Sequence, residues 1–578
     1  MLTRRDRAVV GLLVVLLVAL AGFLALPSVP LVEQASPGAS GEPTVAPTPE
    51  LVVYREGVVG TPESITPLTA RTRADRTLVG LLFRGLVRPG PNGTWEPDLA
   101  EAWKVDTTGT VWTFTIRADA TWHDGAPVTA DDVVFTVEAL KSPASGGGRG
   151  AAWAEITATA LGSRTVRFTL ATPITGFLAA VALPLLPAHL LGEVPFADIA
   201  ASDFAQLPVG TGPFSLTEID ATRAVLQPVV PVDLPAEEAT PGITPDSLAT
   251  PYPAASPARP MPYLERIEIV FYKDDAALAA ALETGEVDGA AGLGPTESAA
   301  LAASPGLDRR LYPTTTLMAV MLNLRPLYPE LRSAPVRRAL LAAIDRDALV
   351  AGPLAGDAVR ADALVPAASW AFDPTAAPPV AYDRKAAAKA LADAGWKKAD
   401  GSWTAPGGKT PYAIELLTVS AAVNPELALV TTAVRKSWTS FGIAVTVKEL
   451  PAAELAARLR AGEYAVAVVP ISMGLEPDLF TLLASSQVRA TGTNLSGYQD
   501  PALDTLLEAA RKPGSQEDRT AAWKALLAGL DARLPLLPIA WSGDAFYSHG
   551  LKGPAIRLLV DAGDRFGDVL AWRLAANR

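Results

Sequence analysis

Few residues in this 578-residue chain have the types and spacing that catalysis needs. The histidines are three, His123, His189 and His549, and they are scattered. A zinc protease needs two histidines one helical turn apart beside a glutamate, and no such pair occurs. No Gly-x-Ser-x-Gly elbow raises a serine nucleophile. Gly210-Thr211-Gly212 lacks the further glycine and lysine of a phosphate loop, so it reads as a turn. Asp131 and Asp132 open a helical pattern, where neighbouring carboxylates complement the helix dipole. Cysteine is absent, which removes disulfides, thiolate metal sites, iron–sulfur clusters, cysteine nucleophiles and a lipid-modified N-terminal cysteine. No catalytic centre, metal site or cofactor is expected.

The aromatic residues are more informative. Trp370, Tyr498 and Trp541 fall in loops or at element ends, where an apolar pocket between domains could use them. The charge balance is acidic, 49 Lys and Arg against 61 Asp and Glu, for a formal net charge of −12. That argues against a chain that coats nucleic acid. The length corresponds to roughly two to four domains.

The elements that must position these residues begin after a distinctive leader. Arg4, Arg5 and Arg7 precede an unbroken apolar run from Ala8 to Leu26. Its length, near the ~20 residues of a spanning helix, favours a membrane anchor, with a cleaved export signal as the alternative. The basic start places everything that follows outside the cytoplasm. Residues 27–50, rich in Pro, Ser, Gly and Thr, read as a disordered linker.

The folded body is expected from Leu51. A strand is predicted from Leu51 to Tyr54, then a polar loop through Gly57, and a helix from Leu78 to Val87. Alternation predicts strands from Val111 to Ile116 and Arg164 to Leu170, with a helix from Val133 to Lys141 between them. Strands from Ser215 to Ile219 and Ile267 to Phe271 flank a proline-rich stretch, 227–262, which reads as an inserted surface loop. A helix from Asp275 to Thr284 and a strand from Thr316 to Leu324 follow. The helix from Val336 to Ile344 is expected to turn Arg337 and Arg338 away from its apolar side. From Ile414 to Val469 three strands alternate with two helices, the mark of α/β architecture.

Taken in order, the motifs are similar to those of the family 5 extracellular solute-binding proteins, the peptide/nickel class that serves ABC transporters. The resemblance starts at Leu82-Phe83-Arg84-Gly85-Leu86-Val87 and Pro97-Asp98-Leu99-Ala100-Glu101-Ala102-Trp103. Its most diagnostic stretch is Trp122-His123-Asp124-Gly125-Ala126-Pro127-Val128-Thr129-Ala130-Asp131-Asp132-Val133. Gly210 to Phe214, Ala281 to Asp288, Val336 to Arg346, Gly497 to Asp504 and Leu536-Leu537-Pro538 complete it.

The resemblance implies an α/β, two-lobe periplasmic-binding-protein-like fold of the class II, cluster C type, with an extra β-rich subdomain. Lobe I would comprise 51–90, 205–312 and 530–578, the subdomain 91–204, and lobe II 313–529. It implies a non-enzymatic, monomeric receptor that captures a peptide or similar small solute between the lobes and delivers it to an ABC-transporter permease. The N-terminal helix would tie it to the membrane, and no nucleic acid is a partner. A same-fold sensor that signals to a membrane partner is the alternative, and a cleft hydrolase is a further one. Peptide-binding members hold the ligand's amino group with an Asp at a position that falls here at Met473 or Gly474, so that anchor is missing and a less polar ligand, such as an oligosaccharide or a hydrophobic molecule, gains weight over an ordinary peptide. Asn323, Trp370, Ser472, Met473, Tyr498 and Trp541 are expected to line the cleft, with Glu63, Glu476 and Asp478 as possible replacements for the lost charge.

Overall fold

Apolar runs too continuous for a sheet with one wet face condense into an eleven-stranded mixed sheet. The computed structural model describes residues 52–90, 94–145, 153–174, 176–229, 264–489, 492–512 and 514–574. The expected N-terminal helix, the linker and nearly all of the proline-rich stretch lie outside the described residues, among which no helix is long and apolar enough to cross a membrane.

Val53–Val59 (β1) runs parallel to Arg266–Tyr272 (β10) and to Gly289–Ala291 (β11). Arg223–Pro228 (β9) and Phe214–Ile219 (β8) extend this half in antiparallel fashion. The other half consists of Val466–Ser472 (β18), Ala413–Val419 (β16) and Ala444–Leu450 (β17), mutually parallel. Two long strands, Asp308–Leu322 (β12) and Leu537–Ser548 (β19), run antiparallel through both halves and join them. Ala358–Arg360 (β13) pairs along β19. A separate four-stranded sheet orders Ala100–Val105 (β4), Val111–Ile116 (β5), Thr165–Leu170 (β7) and Ile156–Ala160 (β6). Val87–Pro89 (β2) pairs with Trp95–Pro97 (β3), and Lys397–Ala399 (β14) with Ser402–Thr404 (β15). The result is two lobes sharing two strands, with a β-rich subdomain on the first.

Several expectations are corrected. The first strand does not end at Tyr54 but continues through Gly57 to Val59. Gly57 is required there by packing, since a Cβ would lie 2.1 Å from Leu278 Cδ1. The first helix is Arg73–Leu82, earlier than the apolar spacing implied. Thr72 and Asp75 form its capping box, and Leu86 and Val87 lie beyond it. Arg337 does not face away from the apolar side. It is 1% exposed, and its guanidinium donates to the carbonyls of Leu331, Leu534 and Arg533. Burial among neutral acceptors lowers its pKa to about 10.

The diagnostic stretch proves to be a structural unit. Asp132 accepts from Thr129 N (2.7 Å), Ala188 N (2.8 Å) and the Trp122 indole (3.3 Å), tying the helix Ala130–Lys141 to its surroundings. His123 clamps the Gly210-Thr211-Gly212 turn. Its Nδ1 accepts from Gly210 N at 3.1 Å, so its Nε2 carries the proton and donates to Gly212 O at 3.0 Å. A Cβ on Gly210 would lie 1.9 Å from Leu82 O, which is why that turn carries glycines. Burial lowers the His123 pKa below its ordinary 6.5.

The first lobe buries an ion pair. Glu56 and Arg565 are each 1% exposed and joined by two bonds, the longer at 3.2 Å, while Tyr54 Oη donates to Glu56 at 2.6 Å. Phe546 and Phe566 lie 4.4 and 4.6 Å from the guanidinium carbon. Glu56→Gln should therefore lower stability by about 3–5 kcal/mol. The triple change Glu56→Leu, Arg565→Met and Tyr54→Phe should cost less than that single one. Urea midpoints followed by tryptophan fluorescence check both. For His123 the unfolded imidazole takes up a proton first as pH falls. Its stabilisation is whole above about pH 6.5 and is lost below it, towards the lowered folded pKa. His123→Gln should be less stable throughout yet lose less between about pH 8 and about pH 5 than the wild type.

Candidate functional site

β12 and β19 cross from one lobe to the other through an interrupted ladder. Pro313, lacking an N–H, interrupts their ladder, and the register slips between Pro313 opposite Gly543 and Leu317 opposite Trp541. The three threonines in the gap take over. Thr314 Oγ1 donates to Ser542 O at 2.8 Å, Thr315 N to Leu559 O at 3.1 Å, and Thr316 N to Thr314 Oγ1 at 3.2 Å. Gly543 fits because a Cβ would lie 2.5 Å from Asp357 O and from Leu311 Cδ1.

Beside this gap β18 ends. Thr316 and Ser472 are direct cross-strand partners, with hydroxyls 3.0 Å apart. Met473 follows, its N–H bonded to Thr315 O at 3.1 Å. Ser472 marks the carboxyl end of a strand parallel to β16, the edge at which open α/β sheets take ligands. The loop after β16 leads into helix Pro425–Phe441, whose first turn carries Glu426.

Glu426 is the feature that sequence reasoning missed, because a glutamate in a first helical turn looks like a dipole partner. Its carboxylate instead accepts from Ser542 Oγ of the crossing strand at 2.6 Å. Burial raises its pKa, the Ser542 bond opposes the rise, and the carboxylates of Asp357 and Asp544 add to it. Those two are paired, Asp357 with Arg309 at 2.5 Å and Asp544 with Arg73 at 3.1 Å. Among the described residues no lysine or arginine forms an ion pair with Glu426.

The six residues expected at the cleft separate into three places. Ser472 and Met473 lie at the crossing, and Trp541, 2% exposed, stands in β19 opposite Leu317. Trp370 sits elsewhere, edge-on to Trp523 and 4.3 Å under the guanidinium of Arg519. Asn323 lies seven residues beyond Thr316, roughly 23 Å along an extended strand. It is fully buried, its amide donating to Gly462 O and Tyr464 O. Tyr498 is near that same far end, its hydroxyl on Asp500 at 3.1 Å, with Arg533 completing the group. Of the possible charge replacements, Glu63 is exposed, Asp478 pairs with Arg511, and Glu476 pairs with Arg519.

The comparisons with known proteins bear on the family and the fold. The model of bacterial extracellular solute-binding proteins, family 5 (middle), matches residues 94–489. Protein XP55 of Streptomyces lividans is 28% identical over 479 residues, 82% of this chain and 81% of that protein. The probable D,D-dipeptide-binding periplasmic protein DdpA of Escherichia coli is 26% identical over 478 residues, 80% of this chain and 83% of that one. Among solved structures, NikZ from Campylobacter jejuni in complex with Ni(L-His) has a TM-score of 0.64 at 25% identity, covering 90% of this chain and 99% of that one. HbpA2 from Haemophilus parasuis, at 21% identity, has a TM-score of 0.72 over 90% of this chain and all of that one. A family match spanning most of the chain, on a two-lobe fold with its polar groups at the lobe crossing, makes this chain a member of the family 5 bacterial extracellular solute-binding proteins.

Proposed function

We propose that this protein captures a small, peptide-like solute bearing a cationic group between its two lobes, outside the cell membrane, and delivers it to an ABC-transporter permease. The observation that carries the ligand class is Glu426, a largely buried carboxylate bonded to one serine at the strand crossing. The family's amine-holding Asp position is Met473 or Gly474 here, so Glu426 supplies from a neighbouring element the negative charge that β18 lacks. A solute ammonium would compensate it, since a buried carboxylate without a cation is costly. The hydroxyls of Ser472, Thr316 and Ser542 would bond the solute's polar groups, and Met473 would pack against its apolar part.

The lobe boundaries are those expected above, 51–90, 205–312 and 530–578 for the first and 313–529 for the second, with the subdomain at 91–204. The receptor works as a monomer without catalysis, held at the membrane by the apolar run from Ala8 to Leu26. Family membership supports the address and the permease partner. The basic residues before that run support the anchor.

Hinge closure favours whichever arrangement a ligand touches on both sides. The full-length chain should therefore become more compact in small-angle scattering, with a raised melting temperature, on meeting its solute in a panel of peptides, amino-acid derivatives, sugars and metal chelates. No response anywhere in the panel would overturn solute capture. With a responding cationic solute, Glu426→Gln should weaken binding about tenfold or more, and Ser542→Ala less. Unchanged affinity in Glu426→Gln would move the charge anchor elsewhere.

A further inference from the structure

The loop that leaves β18 crosses from one lobe to the other. Leu475 is 4% exposed within the subdomain core that contains Trp95, Trp122, Phe168 and Phe177. Leu479, four residues on, packs in the core of the second lobe. Between them stands Glu476, whose side chain is 6% exposed.

Its two oxygens face different partners. Oε2 pairs with Arg519 Nη2 at 2.6 Å, from helix Gln516–Arg533, whose leucines pack in the second lobe's core. Oε1 accepts from the indole N–H of Trp95 at 3.0 Å, in the β2–β3 hairpin on the first lobe's side. Arg519 is itself fixed by stacking 4.3 Å over the ring of Trp370. The fit on the far side is close, since a Cβ on Gly176 would lie 3.3 Å from Glu476 Cβ. One carboxylate thus holds a constant partner in its own lobe and a second partner in the opposite one.

We propose that Glu476 is a closure latch: Arg519 presents its carboxylate on the second lobe, and closing the lobes adds the hydrogen bond from Trp95 and the burial of Leu475. The device is reversible for a physical reason. When the lobes part, Glu476 keeps its arginine, so opening leaves a paired carboxylate and not an orphaned charge. Closure gains a charge-assisted bond in a water-poor setting, the kind that is worth most. The latch depends on the two lobes moving apart and does not depend on which solute is captured. Its failure and that of the Glu426 reading are therefore separable.

The absence of cysteine makes the test clean, because Lys104→Cys on β4 and Lys436→Cys on helix Pro425–Phe441 take two spin labels and nothing else does. Both positions are exposed. Double electron–electron resonance on the full-length labelled chain, with no solute added, reads the ratio of open to closed molecules. Trp95→Phe removes the donor and keeps a ring, and should raise that ratio about tenfold. Glu476→Gln should raise it by less. Phe168→Leu, which loosens the core that receives Leu475 but leaves both hydrogen bonds of Glu476 in place, should shift it less than either. Equal distance distributions in the labelled chain, Trp95→Phe and Glu476→Gln overturn the latch, and so does an equal shift in Phe168→Leu. If Trp95→Phe does not fold, Glu476→Gln against Phe168→Leu decides on the same terms.

Discussion

The pairing of β12 with β19 is the constraint on which the rest of the molecule depends. Two strands in continuous register would weld the lobes into one stiff sheet. Here the ladder holds from Asp308 opposite Ser548 to Pro313 opposite Gly543, breaks, and resumes at Leu317 opposite Trp541. The break costs backbone bonds, and the Thr314 hydroxyl and the Leu559 carbonyl restore partners to the groups it frees. A crossing built from side-chain bonds can bend where a ladder cannot. The same break leaves the hydroxyls of Thr316, Ser472 and Ser542 beside the joint. The mechanical joint and the candidate binding surface are therefore one set of residues.

Charges buried elsewhere serve the opposite purpose. Glu56 and Arg565 are matched to each other and sealed by aromatic rings, fixing the C-terminal segment to β1. Arg337 binds three carbonyls around the end of helix Gln516–Arg533, where Leu534 has a left-handed φ of 47°. Both arginines are enclosed by fixed partners. Glu426 differs, with one hydroxyl donor and two like-charged neighbours. That contrast in partners, more than burial itself, separates a structural charge from one suited to a visiting cation.

Much of the fold was legible because its strands and helices follow simple periods. The alternation of Val111 to Ile116 sits where its pattern puts it, while the next helix starts at Ala130, capped by Thr129, so that Asp131 and Asp132 fall within its first turn. What escaped has identifiable causes. The first half of β12 carries Arg309, Arg310 and a run of threonines, which look like loop residues until their partners just before β13 and on β19 are seen. β19 contains Pro538 and Gly543 and is buried on both faces, so no period of two marks it. Arg337 was misread because helical spacing reports which face a residue occupies and not whether carbonyls await it there. Glu426 escaped because its role depends on a contact 116 residues away in sequence. The separation of Asn323 and Tyr498 from Ser472 was not legible, because motif order carries no information about distance along a strand.

The most direct test of capture at the crossing is native mass spectrometry of the full-length chain after incubation with the low-mass fraction of a rich growth medium. The account predicts one bound solute per chain, released on denaturation, carrying a cationic group, and missing from a Glu426→Gln, Ser542→Ala double variant that remains folded. A chain that acquires no adduct, or an adduct retained equally by the double variant, would contradict it.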